Sequence, residues 1–258
     1  MINKIKEIYK YRELLKTNVQ KEIRGKYKGA WLGVLWSFLN PLLQLLVYSL
    51  IFPIILKVQI PHYPVFLFVA LIPWTFFTNA ITQGATCIIQ DANIIKKVYF
   101  PREILPLSVV IGAAVNFLIS CVIIVAVLLI SGMGISWHII FLPVIVLVQT
   151  VILLGIDLIL SALTVYLQDL QHLISVAIMM LFYATPIVYT LESIPKDFIW
   201  VFYLNPMASI ITAYRDIFYY QQMPNLTSLG ILFIIGIVLI LIGMKIFDKL
   251  QRNFAEEL

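Results

Sequence analysis

Long runs without a charged residue constrain the fold of this 258-residue chain more than any other feature. A helix that crosses the hydrocarbon core of a bilayer needs about 20 residues at a rise of 1.5 Å per residue. The run of 53 residues must therefore hold two spans, and the Ser- and Gly-rich stretch at 131–136 supplies the turn between them. The run of 17 residues is marginal for a single span. The uncharged runs cover residues 29–56, 58–90, 104–156, 170–191, 198–214 and 217–244.

The composition is typical of a membrane-embedded chain and excludes several classes of protein. Hydrophobic residues make up 62% and charged residues 12%, and the mean hydropathy is +0.99, whereas a soluble domain is about one quarter charged. This excludes a soluble enzyme and a nucleic-acid-binding protein, and an outer-membrane barrel would show alternating segments of about 10 residues. The sequence predicts an all-α polytopic membrane protein with six transmembrane helices. They are expected at about 31–56, 63–88, 104–130, 137–165, 173–191 and 228–247.

The distribution of the 18 Lys and Arg residues predicts the orientation of the chain. Six spans place 15 of them on one side, in the N-terminal region, the second loop and the C-terminal region. The positive-inside rule makes this side cytoplasmic, so both termini are expected there. A seventh span would worsen the split to 13 against 5, so the 17-residue run is expected to enter and leave from the outer face. The net charge of +5 then reflects orientation and attraction to anionic lipid.

Residues 1–30 are expected to form a cytoplasmic amphipathic interface helix ahead of the transmembrane domain, residues 31–258. Apolar residues recur every three or four positions from Ile5 to Ile23, with basic residues between them. A basic helix of this kind lies along the inner membrane surface. The alternative is a simple anchor that orients the first span, and periodicity alone leaves both open.

The sequence lacks the motifs of catalytic and metal-binding sites. No phosphate-binding G-x-x-x-x-G-K-[ST] loop and no metal-binding H-E-x-x-H occurs, and His62, His138 and His172 are scattered. We expect no catalytic residue, metal site or cofactor in this chain. Asp157 is an ionisable residue inside a predicted span, which is by default a functional hypothesis, as a polar pathway group or an interhelical hydrogen-bonding residue. The alternative is a carboxyl near the cytoplasmic end that water reaches or that protonation neutralises.

A short cytoplasmic loop at 89–103 carries the most informative functional pattern. An ordinary loop that obeys the positive-inside rule explains Lys96 and Lys97. It does not explain Tyr99 and Phe100 beside an Arg-Glu pair, a combination that looks like a docking surface. Together with the basic N-terminal helix, this loop predicts a cytoplasmic partner.

Several motifs, in the same order along nearly the whole chain, resemble those of permease subunits of the type-2 ABC exporters that move polysaccharides. The similar segments are 11–15 (YRELL), 21–36 (KEIRGKYKGAWLGVLW), 40–41 (NP), 93–106 (NIIKKVYFPREILP), 169–172 (DLQH), 184–189 (ATPIVY), 204–206 (LNP) and 214–215 (YR). The match at 93–106 is a specific one. One departure is Gln168-Asp169, where the family often has Arg-Asp, so a role of that arginine does not carry over.

The resemblance implies a homodimeric permease paired with two copies of a separate cytoplasmic ABC ATPase, which binds ATP and Mg²⁺. It implies export of an undecaprenyl-linked polysaccharide across the bacterial inner membrane, as O-antigen, capsule or teichoic acid. A drug or small-lipid exporter of the same superfamily remains an alternative. A coupling helix within 93–102 and short re-entrant helices within 192–226 are also implied. The expected ATPase-coupling residues are Arg12, Glu13, Arg24, Asn93, Lys96, Lys97, Tyr99, Phe100, Pro101, Arg102 and Glu103.

Aromatic residues indicate where such a polymer would travel, because ring faces stack on sugar C–H surfaces and Tyr or Trp offers hydrogen bonds. Interfacial belts explain Trp31, Trp36, Trp137 and Trp200. The candidates for the path lie in mid-span two and around Pro186 of span five, and they are Trp74, Phe76, Phe77, Phe182, Tyr183 and Tyr189. Spans one, two and five of two protomers are therefore expected to line the path. The outer re-entrant segment, with Asn205, Pro206, Tyr214 and Arg215, is expected to close its outer end.

Overall fold

A computed structural model describes residues 2–25, 36–55, 60–195, 197, 202 and 204–258 of the chain. Over these residues the fold is helical, with no strand among them. The helices are α1 (Ile2–Lys10), α2 (Arg12–Gly25), α3 (Trp36–Ile55), α4 (Tyr63–Gln90), α5 (Ala92–Ile95), α6 (Ile104–Ile130), α7 (Leu142–Tyr166), α8 (Leu170–Tyr183), α9 (Pro206–Phe218), α10 (Leu226–Leu250) and α11 (Phe254–Glu257). Short 3-10 helices occur at Trp137–Phe141, Leu191–Ser193 and Gln251–Asn253.

Four helical stretches are long and apolar enough to cross a membrane. They are Tyr63–Gln90, Ile104–Ile130, Trp137–Tyr166 and Leu226–Asn253, and they match the predicted spans two, three, four and six. At the position of the first span, α3 contains a shorter apolar stretch, Leu42–Ile51. The predicted start of that span, at 31–35, lies outside the described residues.

Helix α8 corrects the predicted fifth span. The span was expected at 173–191, but the helix ends at Tyr183, because Pro186 has no backbone N–H and disfavours helical conformation in the residue before it. The 14 residues of α8 extend over about 21 Å at 1.5 Å per residue, against about 30 Å of hydrocarbon core. Residues 184–189, called here the unwound segment, continue the chain without helical structure.

The predicted interface helix at 1–30 is divided into α1 and α2, which meet at Tyr11. α2 lies against α6, where a Cβ added to Gly112 would come within 3.0 Å of Glu22 Cβ. In addition, Lys21 Nζ lies 2.8 Å from Asp91 Oδ1, just beyond the end of α4. The described part of the N-terminal region is therefore packed on the helical bundle.

Close backbone contact joins α7 to α10. A Cβ added to Gly155 would lie 2.6 Å from Leu239 Cβ and 2.8 Å from Ile240 N. On the facing helix, a Cβ added to Gly236 would meet Val151 and Ile152. The absence of side chains at both glycines lets these two membrane-spanning helices approach closely.

The bundle has two ends, which we name by their contents. The terminal end holds α1, α2, α5, α11 and the ends of α4, α7 and α10, where Tyr166 donates a hydrogen bond to Leu250 O at 2.8 Å. The distal end holds α9 and the beginnings of α4 and α10, where Tyr219 donates to Pro61 O at 2.5 Å. α4 runs from the distal to the terminal end through the middle of the bundle, in contact with α3, α6, α7, α8 and α9.

Candidate functional site

A groove of about 460 Å³ lies between α3, α4 and α8. Its lining mixes aromatic, polar and apolar side chains, namely Gln44, Tyr48, Leu71, Trp74, Thr75, Thr78, Asn79, Ser175, Ile178, Met179, Phe182 and Tyr183. These three helices correspond to the predicted spans one, two and five. The rings of Trp74 and Phe182 meet edge to face at 5.7 Å, and Tyr48 lies 6.3 Å from Phe182. The groove therefore has an aromatic wall assembled from all three helices.

Of the six aromatic residues expected along the path, three line the groove, one lies beyond it and two are buried in the core. Trp74, Phe182 and Tyr183 line the groove, and Tyr189 lies beyond it, with its hydroxyl donating to Tyr183 O at 2.6 Å. The other two are buried in the core and do not line the groove. Phe77 packs behind Trp74 at 4.9 Å, and Phe76 stacks on Phe117 of α6 at 5.4 Å.

The unwound segment is buried from Thr185 to Val188, so its backbone carbonyls need partners other than water. α9 supplies donors for two of them. Arg215 donates from Nη1 to Pro186 O at 2.5 Å and from Nη2 to Ile187 O at 2.6 Å. Within α4, the hydroxyl of Tyr63 donates to Val188 O at 3.0 Å.

Asn205 makes a second connection between α9 and the unwound segment. Its Nδ2 donates to Ala184 O at 3.1 Å and to Thr185 Oγ1 at 2.8 Å. Its Oδ1 accepts from Met207 N at 3.0 Å, which caps the beginning of α9. Because both ends of this short helix are tied to residues 184–189, α9 and the end of α8 form one hydrogen-bonded unit.

The guanidinium of Arg215 is 3% exposed and lies over the ring of Phe66, 3.5 Å from its centre. A buried Arg stacked on an aromatic face retains favourable electrostatic contact where water is excluded. Neither Tyr63 nor Phe66 was among the residues singled out in the sequence. Both belong to the beginning of α4, and the chain offers no local signal for their contact with residues more than 100 positions away.

Tyr214, expected in the outer segment, is a core residue. It is fully buried, and its hydroxyl donates to Gln149 Oε1 at 3.0 Å. Gln149 in turn donates from Nε2 to Pro73 O at 3.0 Å. This chain of hydrogen bonds fixes α9 to α7 and to the middle of α4.

The loop at 89–103 presents a different surface from the one expected. Tyr99 is 82% exposed, and Asn93, Lys96 and Lys97 are also exposed. Phe100 is only 6% exposed and packs in a cluster that includes Phe247 and Phe254 near the C-terminus. Phe100 was expected to present an open ring to a partner, but this ring is packed in a cluster with residues about 150 positions away.

Hydrogen bonds and a cation–π contact join the end of the loop at 89–103 to the C-terminal tail. The guanidinium of Arg102 donates to Gln251 O and lies over Phe254, while Gln251 Nε2 donates to Glu103 Oε1 at 3.1 Å. Pro101 is buried. A cavity of about 460 Å³ at this place is lined by Glu7, Tyr99, Phe100, Pro101, Arg102, Glu103, Asp248, Gln251 and Arg252.

Arg12 and Glu13, which were expected as coupling residues of the N-terminal helix, do not line this cavity. Arg12 and Glu13 are exposed, and the Arg12 guanidinium lies 5.0 Å from the ring centre of Tyr9. The side chain of Arg24 lies outside the described residues. In this region α1 reaches the cavity beside Tyr99 through Glu7.

Asp157 is fully buried between α7 and α4. Neither carboxyl oxygen has a hydrogen-bond partner among the described residues, and a Cβ at Gly84 would overlap the carboxyl group. The interhelical hydrogen bond considered for Asp157 is therefore absent from the described part of the chain. Within that part, no group of His, Cys, Asp and Glu side chains is arranged to hold a metal ion.

Comparison with known proteins assigns the chain to a family. Residues 13–219 match the family described as "ABC-2 type transporter". The chain is 37% identical over 260 residues to the O-antigen export system permease protein RfbA of Myxococcus xanthus, with 100% of both chains covered. It is 39% identical over 246 residues to the protein of the same name from Klebsiella pneumoniae, which covers 95% of this chain and 94% of that one.

A more distant relative is the polysialic acid transport protein KpsM of Escherichia coli. It is 27% identical over 235 residues, which covers 88% of this chain and 89% of the relative. The family match extends from α2 through α9, so it includes the groove, the loop at 89–103 and the unwound segment. The chain is an integral membrane protein that belongs to the ABC-2 type transporter family.

Proposed function

We propose that this chain is the permease subunit of an ATP-driven exporter of lipid-linked O-antigen polysaccharide. The observation that carries the proposal is the groove of α3, α4 and α8, which combines an aromatic wall with uncharged hydrogen-bonding side chains. Such a lining suits a hydroxyl-rich polymer, because rings stack on sugar faces while hydroxyl and amide groups exchange hydrogen bonds. The relatives named O-antigen export permease support the same substrate class.

The proposed topology has six spans, with α3 and α8 as the first and fifth and both termini in the cytoplasm of a bacterial inner membrane. The excess of Lys and Arg in the terminal regions and the loop at 89–103 supports this orientation. In this arrangement α9 is the re-entrant element of the outer face, and Asn205, Pro206, Tyr214 and Arg215 hold it in place. The groove is open along one side, so two copies of the chain would enclose one path.

ATP hydrolysis is assigned to a separate cytoplasmic subunit, present in two copies, which binds ATP and Mg²⁺. The sequence has no phosphate-binding loop. The cavity beside Tyr99, with exposed Lys96 and Lys97 next to it, is the proposed docking surface. Tyr and Arg side chains, here Tyr99 and Arg102 of this cavity, are typical of a binding hot spot.

Reconstitution tests this function directly. The permease is co-expressed with its partner ATPase in a Klebsiella pneumoniae strain that lacks its own O-antigen permease and ATPase but makes the lipid-linked polymer. We expect O-polysaccharide to appear at the cell surface, and we expect the purified permease alone not to hydrolyse ATP. Intact complexes that restore no surface polymer would contradict the proposal. Capsule export is the second candidate, supported by the polysialic acid relative, and a capsule-deficient strain provides the parallel test.

The contrast between Tyr99 and Phe100 gives a prediction for the docking surface. Tyr99→Ala removes an exposed ring, so we expect normal abundance of the permease, weaker co-purification of the ATPase and at least a fivefold loss of export. Phe100→Ala removes a buried ring, so we expect a loss of about 3–5 kcal/mol of stability and reduced abundance. Thermal unfolding of the detergent-solubilised permease and pull-down of the ATPase measure both effects. Equal abundance of the two variants, with equal ATPase binding, would refute the assignment.

A further inference from the structure

The polar residues of α4 are restricted to one face of this helix. Every Thr, Asn and Gln of α4 remains at least partly exposed, whereas all its other residues except Pro64 and Ile89 are buried. Successive polar residues of α4 are three, one or four positions apart, so they lie along a single stripe of the helix. We call this stripe the polar track, and it consists of Thr75, Thr78, Asn79, Thr82, Gln83, Thr86 and Gln90.

The exposed faces of the other long helices have the opposite character. Along the middle of α6, α7 and α10 most of the exposed residues are large and apolar, for example Val122, Leu147 and Ile234. Those faces suit contact with lipid tails. Lipid tails offer no hydrogen bonds, so a stripe of seven amide and hydroxyl side chains at membrane depth is unsuited to the same environment.

The hydroxyl groups of the track threonines donate hydrogen bonds to backbone carbonyls of α4 itself. Thr82 donates to Thr78 O at 2.7 Å, and Thr75 donates to Leu71 O at 2.9 Å. Thr86 donates to Thr82 O at 3.3 Å and accepts from Gln90 Nε2 at 2.9 Å. The hydroxyl oxygens of Thr75 and Thr82 still carry lone pairs, so they can accept hydrogen bonds from a passing hydroxyl group.

The track contains no charged residue and is continuous with the groove. Thr75, Thr78 and Asn79 already line the groove beside Trp74. From there the track runs to Gln90 at the terminal end, next to the Lys21 and Asp91 ion pair. An uncharged row of acceptors and amides matches a hydroxyl-rich, uncharged chain, since it offers no fixed charge to hold or repel the polymer.

We propose that the polar track is the terminal-end half of the polymer path, and that it contacts a neutral, hydroxyl-rich polysaccharide before the polymer reaches the aromatic groove. This inference rests on the proposed function. The competing occupant of the face is a second copy of this chain, packed track against track.

Paired valine substitutions test the contact with polymer. Thr82→Val with Thr86→Val removes two track hydroxyls outside the groove and preserves side-chain shape. The matched control is Thr150→Val with Thr164→Val in α7, whose hydroxyls also donate to their own helix. We expect the track pair to lower polymer export at least fivefold at normal abundance and normal ATP hydrolysis, and the control pair to export normally. Normal export by both pairs would overturn the inference.

Cysteine labelling tests the environment of the track independently of transport. Thr82→Cys and Val122→Cys are made singly in a background with Cys87→Ser and Cys121→Ser, and each is treated with a charged, water-soluble maleimide. We expect Thr82→Cys to react and Val122→Cys to remain unlabelled, because a thiol reacts as the thiolate, which requires water. An inert Thr82→Cys, or its spontaneous disulfide pairing between two copies, would overturn the inference in favour of lipid or a second copy.

The proposed function and the inference about the polar track are contradicted by different results. If the unmodified chain exports no polysaccharide in the reconstituted strain, the proposed function fails, whatever the labelling shows. If the unmodified chain exports polysaccharide but the track pair exports equally well, only the polar track is excluded as part of the path.

Discussion

Replacing Arg215 with Met is expected to destabilise the chain by about 2–6 kcal/mol, because it leaves the buried carbonyls of Pro186 and Ile187 without donors, at about 1–3 kcal/mol each. Methionine fills much of the same volume, so the loss reports on the hydrogen bonds more than on a cavity. We expect the thermal midpoint of the detergent-solubilised permease to fall and surface polymer to be lost. Arg252→Met, at an exposed Arg of the C-terminal tail, is the matched control for stability alone, because Arg252 lines the proposed docking cavity.

Arg215→Lys refines the same prediction. Lysine retains the positive charge but presents its donors from a single nitrogen, so it cannot reproduce two parallel N–H bonds from a planar group. We expect a stability between those of the parent and Arg215→Met. An Arg215→Met variant as stable as Arg252→Met would show that α9 does not hold the unwound segment.

Gly155→Ala is expected to destabilise the chain because the added methyl group forces the backbones of two membrane helices apart. The new Cβ would lie 2.6 Å from Leu239 Cβ and 2.8 Å from Ile240 N, so α10 would have to move away as a whole. Overpacking of this kind costs about 1–3 kcal/mol or more. Thermal unfolding and abundance in the membrane measure the effect.

Gly230→Ala is the matched control for this substitution. Gly230 also lies in α10, but an added Cβ there has nothing within 4 Å. Alanine is a better helix former than glycine by about 0.5–1 kcal/mol, so we expect equal or slightly higher stability. If both alanine variants were equally stable, the close contact of α7 with α10 would be refuted.

The sequence predicted the membrane helices well where apolar runs were long. The four long helices lie where the uncharged runs placed them, because helix formation in lipid is dictated by length and hydropathy. The end of α8 was missed, although Pro186 was visible as a break. Of the expected path residues, Trp74, Phe182 and Tyr183 line the aromatic groove, but Phe76 and Phe77 are buried away from it. Helical periodicity separates Phe76 from Trp74, Thr75 and Thr78 and could have shown this.

The details that sequence reasoning could not reach depend on distant parts of the chain. Phe100 has the local pattern of a docking residue, and only the fold shows that it is buried in a cluster that contains Phe254. Tyr63 begins α4 like an ordinary interfacial aromatic residue, yet it donates to a carbonyl 125 positions away. The polar track was within reach of the sequence, because its residues recur at helical spacing.

The short length of α8 has a mechanical consequence. Within a helix, a carbonyl is released only when the backbone N–H that bonds to it moves, and this disrupts the turn. In the unwound segment Thr185 O accepts from the backbone N–H of Ile187. The carbonyls of Ala184, Pro186, Ile187 and Val188 instead bond to side chains of Asn205, Arg215 and Tyr63. Side chains can release and recapture their acceptors by rotation, so this part of the wall can hinge without any helix unravelling. In the proposed exporter, these reversible hydrogen bonds would hold the distal end closed, which suits an opening that repeats for every polymer.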